Sequence, residues 1–143
     1  TTDDLPFIIA DVLESKDYQH IKLLNCSITS GLDLESTASL RVNVNGSKHI
    51  ASGSGNGGFD AFIDAINKVM KLHHYTLPAL VDYEVRIPRG GHTNALTECV
   101  ITWDCGGGLR KTRAVHSNQV FAGILATLKI INMQLHEFDA NLV

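Results

Sequence analysis

Residues 53–58 spell Gly53-Ser54-Gly55-Asn56-Gly57-Gly58, the G-x-G-x-x-G pattern of a dinucleotide-binding turn. Asp82 lies at about the spacing at which such a fold places its ribose-binding acid. The same stretch supports a second chemistry. A helix start presents N–H groups and the positive end of a dipole, which together receive a small carboxylate. Asp60, in the first turn, could then face an ammonium, or it could simply favour its own helix dipole. With Asn56 and the apolar Phe59 beside it, this neighbourhood suits a free amino acid with an aliphatic side chain. Further along, Gly90-Gly91 followed by His92, Thr93, Asn94 and Ala95 exposes backbone and small polar groups to a ligand, although an ordinary strand connection has the same composition.

Other chemistries are poorly supplied. There are seven histidines, but His73 and His74 are adjacent and cannot face one ion from a helix, and the rest lack the short spacing of metal ligands. No metal is expected in this domain. The three cysteines Cys26, Cys99 and Cys105 are odd in number and scattered, which suits reduced, mostly buried thiols rather than a disulfide framework. Asp60 and Asp64 share a helix face with no neighbouring base, and no serine elbow or cysteine–histidine context is present. The sequence gives no catalytic residue.

The elements that must position these groups come in a repeat. A short opening helix is expected over residues 4–15. After it, residues 38–44 alternate apolar and polar, the mark of a strand with one buried face. Asn45-Gly46 supplies a hairpin turn, a return strand passes through residues 49–52, and Phe59, Phe62, Ile63, Ile66, Val69 and Met70 follow helical spacing. The order recurs: strands over 80–87 and 95–104, a turn at 106–108, a strand over 109–116 and a helix carrying Phe121 to Leu135. Matching Ile21 with Tyr83 and Asn56 with Asn118 gives equal offsets, 83 − 21 = 62 and 118 − 56 = 62.

The expected fold is therefore α+β: two pseudo-symmetric βββα units, about 20–76 and 77–137, each an antiparallel sheet covered by one helix. The hairpin makes the strand before the glycines the return arm of an antiparallel pair, which argues for a strand-to-helix turn and against a nucleotide site. One helix covers one face, so an apolar sheet face is left to bury, and a homodimer is the natural solution.

Composition narrows the partners. The chain has 143 residues, is 44% hydrophobic and carries a formal charge of −3 without a basic cluster, so nucleic acid is not an expected partner. Lys129, Asn132 and Gln134 interrupt its most apolar segment, so no membrane span is expected. The acidic opening, Asp3 and Asp4, has none of the character of a signal peptide, and a cytoplasmic location is expected.

The ordered set of Asn56-Gly57-Gly58, Val81-Asp82-Tyr83-Glu84, Gly90 through Ala95, and His116-Ser117-Asn118-Gln119 resembles the C-terminal regulatory domain of the 2-isopropylmalate synthase and citramalate synthase family. The likeness covers residues 20–137. Departures occur at the motifs: Gly58 stands where the family commonly has proline, His92 is inserted before Thr93, Asn94 replaces an acid, and Asn118-Gln119 replaces Asp-Ile.

The resemblance implies a cofactor-free, non-catalytic domain that dimerises and binds an end-product amino acid, leucine or isoleucine. Binding would slow a catalytic barrel of the same protein, which uses acetyl-CoA and a divalent metal to condense a 2-oxo acid. Residues 1–19 would be the remnant of a connector helix and residues 20–143 the regulatory domain. The effector is expected between subunits, its carboxylate near Asn56, Phe59, Thr93, Asn94 and Ala95, its ammonium on Asp60 and its side chain against Leu80, Tyr83 and Ile87. A purely structural dimerisation domain is the alternative.

Overall fold

A computed structural model describes residues 19–87 and 96–141, with side chains as far as residue 138. The expected opening helix lies outside the described residues. The elements run β1 (Ile21–Thr29), β2 (Ser36–Val44), β3 (Ser47–Gly55), α1 (Gly58–Leu72), β4 (Ala79–Arg86), β5 (Thr97–Asp104), β6 (Leu109–His116) and α2 (Gln119–Asn141). Two three-stranded antiparallel sheets result, ordered β1-β2-β3 and β4-β5-β6, each followed by its helix. The chain divides into two compact units with the break between Leu77 and Pro78.

In the first unit, Ala38, Leu40, Val42 and Val44 of β2 are buried while Thr37, Ser39 and Arg41 are exposed. The alternation read from the sequence is thus the alternation of the pleat. α1 packs over β3 and β2 and contributes Phe62, Ala65, Ile66, Val69 and Met70, all buried. Its C-terminus closes tightly: the N–H of Tyr75 donates to the Met70 carbonyl at 3.0 Å and that of His74 to the Lys71 carbonyl at 3.1 Å. His74 adopts φ of 57°, the left-handed position of a Schellman ending.

In the second unit, α2 packs over β6 and β5. Trp103, fully buried, donates its indole N–H to Thr112 Oγ1 at 2.9 Å, which satisfies both groups in the core. Among the described residues no buried side-chain nitrogen or oxygen lacks a hydrogen-bond partner.

Register corrects the repeat. Ser36 pairs with Gly55 and Thr97 with His116, so both strands of the two hairpins are related by 97 − 36 = 61 and 116 − 55 = 61. The helix caps agree, because Gly57 and Asn118 hold them and 118 − 57 = 61. The equal offsets of 62 paired residues that are not equivalent; Ile21 and Ala79, not Ile21 and Tyr83, begin the first strands. Each first strand also carries a bulge, Leu24 between Leu23 and Asn25, and Val81 between Leu80 and Asp82. The residues facing them are again related by 61: Val42 and Arg41 in one unit, Trp103 and Thr102 in the other.

The sheet faces turned away from the helices are mixed in character. The uncovered face of the first sheet carries Ser27, Ser39 and Ser52 in a row, and Thr29, Thr37 and Ser54 in another. The second carries an ion-pair ladder, Glu84 to Arg86 to Glu98 to Arg113. Apolar groups stand among them, Ile50 on the first face, 72% exposed, and Val100 and Val115 on the second. Exposed apolar groups also line β4, at Leu80, Val81 and Val85, with Ile87 just beyond.

Candidate effector site

The strand-to-helix junction of the first unit is built by close approach. A Cβ added at Gly53 would lie 2.5 Å from the Ala65 nitrogen and 2.6 Å from the Ala61 carbonyl oxygen; one at Gly55 would lie 2.7 Å from Asp60 Cβ. The glycines therefore let α1 rest directly on β3. They were expected to make a sharp turn, but β3 continues through both, and neither has the positive φ of a glycine-only bend. With that space filled by helix backbone and β3 antiparallel to β2, the dinucleotide reading fails.

Asp64 anchors the same junction. Its Oδ2 accepts the N–H of Ser54 at 3.0 Å and lies 3.5 Å from Lys68 Nζ, and that backbone bond, followed by Lys68, holds the carboxyl below the usual aspartate range. Lys68 also donates to the Ser52 carbonyl at 2.8 Å. Asp64 is thus engaged structurally, whereas Asp60 is exposed in the first turn; Gly57 is the N-cap there, and among the described residues no side chain caps α1.

The second helix begins differently. Asn118 Oδ1 accepts the N–H groups of Val120 at 2.8 Å and Phe121 at 3.2 Å, while its own N–H donates to His116 Nδ1 at 2.9 Å. Those donors are taken by the protein itself. Among the described residues a side chain caps α2 and none caps α1.

The apolar residues form a separate group on β4. Leu80 pairs with Trp103 and Tyr83 with Ile101, so both stand on the face that carries the buried core of the sheet. An odd spacing of three would put them on opposite faces; the bulge at Val81 restores them to one. Val85, paired with Cys99, extends this wall, and the alternation through residues 83, 85 and 87 was the signal that could have found it. Burial pushes the Cys99 thiol up, opposed by a hydrogen bond with half-buried Tyr83. Cys26 and Cys105 are half-buried and raised by burial as well, so none of the three described thiols is primed as a nucleophile.

Of the expected contacts, Asn56, Phe59 and Asp60 fall together at the start of α1, Asn56 and Asp60 exposed and Phe59 half-buried. Leu80 and Tyr83 fall on β4, and Ile87 follows it, 83% exposed. Thr93, Asn94 and Ala95 lie outside the described residues. The two groups belong to different units. Among the described residues no three histidine, cysteine, aspartate or glutamate side chains gather as a metal site, and no helix is long and apolar enough to cross a membrane.

The family model of the LeuA allosteric (dimerisation) domain matches residues 1–135. The chain belongs to that family. Among curated relatives, this LeuA-type domain is 30% identical over 133 residues to a protein assigned as (R)-citramalate synthase CimA of Archaeoglobus fulgidus, covering 93% of the chain and 27% of the relative. It is 27% identical over 131 residues to 2-isopropylmalate synthase of Aquifex aeolicus, covering 91% of the chain and 24% of the relative. A protein assigned as CimA in Methanothermobacter thermautotrophicus is 31% identical over 135 residues. The LeuA-type domain thus spans about a quarter of the length of these relatives.

Proposed function

We propose that this domain dimerises and binds a branched-chain amino acid, leucine or isoleucine, and that binding inhibits a synthase joined to it which condenses acetyl-CoA with a 2-oxo acid, in the cytoplasm. The observation that carries the reading is the asymmetry of the helix starts: Asn118 caps α2, and among the described residues no side chain caps α1. A free amino acid holds its carboxylate and ammonium two bonds apart, so it needs anion donors and an acid side by side. The first turn of α1 supplies the donors and Asp60 the acid. Leu80, Tyr83, Val85 and Ile87 supply an apolar wall of matching character. Each group lies within its own unit, and the proposal is that dimerisation brings groups of different copies to one ligand. Thr93, Asn94 and Ala95 complete the carboxylate contacts in this reading.

Calorimetric titration with leucine, isoleucine and valine tests it, together with the effect of each on melting temperature. A ligand bridging two copies should tighten the dimer and raise its melting temperature by mass action. Gly57→Asn is the diagnostic variant. Gly57 has extended backbone, φ of −131°, and an added Cβ would meet only Asp60 Oδ2 at 3.7 Å. Its new side chain should cap α1 as Asn118 caps α2, keep the fold, and weaken the effector at least about tenfold, or about 1.4 kcal/mol. Tyr83→Ala should remove most of the thermal shift and Asp104→Ala should not. Heats absent for all three amino acids would leave the structural reading, in which exposed Leu80, Val85 and Ile87 are dimer-interface core.

A further inference from the structure

The adjacent pair His73-His74 hides a partner that sequence spacing cannot reveal. His73 meets His49, twenty-four positions away, with 2.9 Å between their Nε2 atoms. The rings are mutually perpendicular, their centroids 4.9 Å apart, and both residues are half-buried. Each imidazole is carried on backbone fixed by independent means. His49 sits on β3 in register with Val42, on the face that packs against α1. His73 is the C-cap of α1, held by the Schellman bonds from His74 and Tyr75. That ending turns the chain at His74 and leaves His73 alone to face β3.

We propose that His49 and His73 form a two-imidazole site for a divalent transition-metal ion, with Cu(II) and Ni(II) favoured over Zn(II). Metal–imidazole bonds are about 2.0–2.1 Å long, so nitrogens 2.9 Å apart subtend about 90° at an ion bound to both. That is the angle between neighbouring ligands in square-planar or octahedral coordination, the geometries of Cu(II) and Ni(II). Tetrahedral coordination would need the nitrogens to spread to about 3.4 Å. Imidazole suits all three ions, and the general affinity order places copper first. Water fills the other positions, since the pair is only half-buried and no third acidic, thiol or imidazole ligand joins it among the described residues.

The proton balance is simple. In the metal-free pair one ring carries its proton on Nε2 and donates it to the other. On metal binding that proton moves to Nδ1 of the same ring, which stays neutral while both Nε2 lone pairs turn to the ion. No net proton leaves a neutral pair. The site lies within one unit and does not depend on the amino-acid reading.

The test is titration of the metal-free chain with CuCl2, NiCl2 and ZnCl2 in a non-coordinating buffer, with electron paramagnetic resonance of the copper form. We expect one ion per chain, copper bound more tightly than nickel or zinc, and hyperfine coupling to two imidazole nitrogens. His49→Gln and His73→Gln should each weaken copper at least about tenfold, while His20→Asn and His74→Gly retain it. Fewer than two coupled nitrogens in the unaltered protein, or equal affinity in His49→Gln, would leave a hydrogen-bonded pair only and overturn the proposal. The resonance measurement decides even if a variant fails to fold.

Discussion

The two units share a topology and differ at three equivalent positions, each related by 61 residues. Gly53 of β3 corresponds to Ala114 of β6, Gly57 at the start of α1 to Asn118 at the start of α2, and His49 to Arg110. Where the first unit has no side chain at all, the second has a methyl group that fits and an amide that caps. Where the first ties strand to helix with two imidazoles, the second uses the Arg110–Glu137 ion pair, with a second contact from Arg110 Nη2 to Glu137 Oε2 at 2.8 Å. The lesson is that a repeated fold keeps its register while its two units close their strand–helix junctions with different groups. In the second a side chain caps the helix start, and among the described residues none caps that of the first.

Substitutions at the equivalent positions sharpen this contrast. The largest effect is expected at Gly53→Ala, whose methyl would collide with α1 backbone at Ala65 and Ala61. Helix and strand cannot separate cheaply, so a loss of about 3 kcal/mol is expected in urea denaturation. The reciprocal Ala114→Gly should cost only about 1 kcal/mol. Similar losses at both positions would show that the α1 backbone does not require glycine at position 53.

Asn118→Ala comes next, because two amide donors at the start of α2 lose their acceptor. About 1 kcal/mol of stability should disappear. Effector heats should stay as they are, and a change in those heats would move the binding site to α2.

The smallest effect concerns the ion pair, and it depends on pH. Glu137 is held below the usual glutamate range first by its hydrogen bond from Arg110, and then by the guanidinium charge. A carboxylate with a depressed folded pKa stabilises above its unfolded pKa and loses that contribution as acid titrates it. Both partners are partly exposed, so Arg110→Met should cost only about 0.5 kcal/mol at neutral pH. The difference from the unaltered protein should shrink below about pH 4.5. The imidazole pair fails in another range. Burial first, then His49 and His74, push His73 down, so its contribution is complete above about pH 6.5 and fades as pH falls from there. Chemical denaturation of Arg110→Met and His49→Gln at pH 7, 5.5 and 4 separates the two ties, and coincident pH profiles would refute the contrast.

Much of this was legible in the chain, for definite reasons. Alternation from Ala38 to Val44 and the three-and-four spacing of Phe62, Ile66, Val69 and Met70 are written in side-chain type, and the strands and helices follow them. The bulges were not legible, because Leu24 and Val81 look like any apolar strand residue; only pairing with β2 and β5 shows that each is extra. For the same reason Leu80 could not be assigned a face from sequence alone. The repeat was visible but out of register, by one residue at the helix starts, where Asn56 resembles Asn118 in type while Gly57 holds its place in geometry, and by more in the first strands, where Ala79 and not Tyr83 opens the second. The contact of His49 with His73 joins a strand to the far end of a helix, and no local spacing rule reaches that distance.

The paired bulges bear on how copies of this domain assemble. β1 and β4 are edge strands, and a straight edge of eight or nine residues is a template on which a neighbouring chain can add another strand and continue without limit. Leu24 and Val81 each break the regular spacing of N–H and C=O groups partway along that edge. The opposite edges, β3 and β6, pair without such a break, so the two edges of each sheet differ as templates for another strand. The bulge that aims Leu80 and Tyr83 at one face also makes the β4 edge a poorer template than the β6 edge.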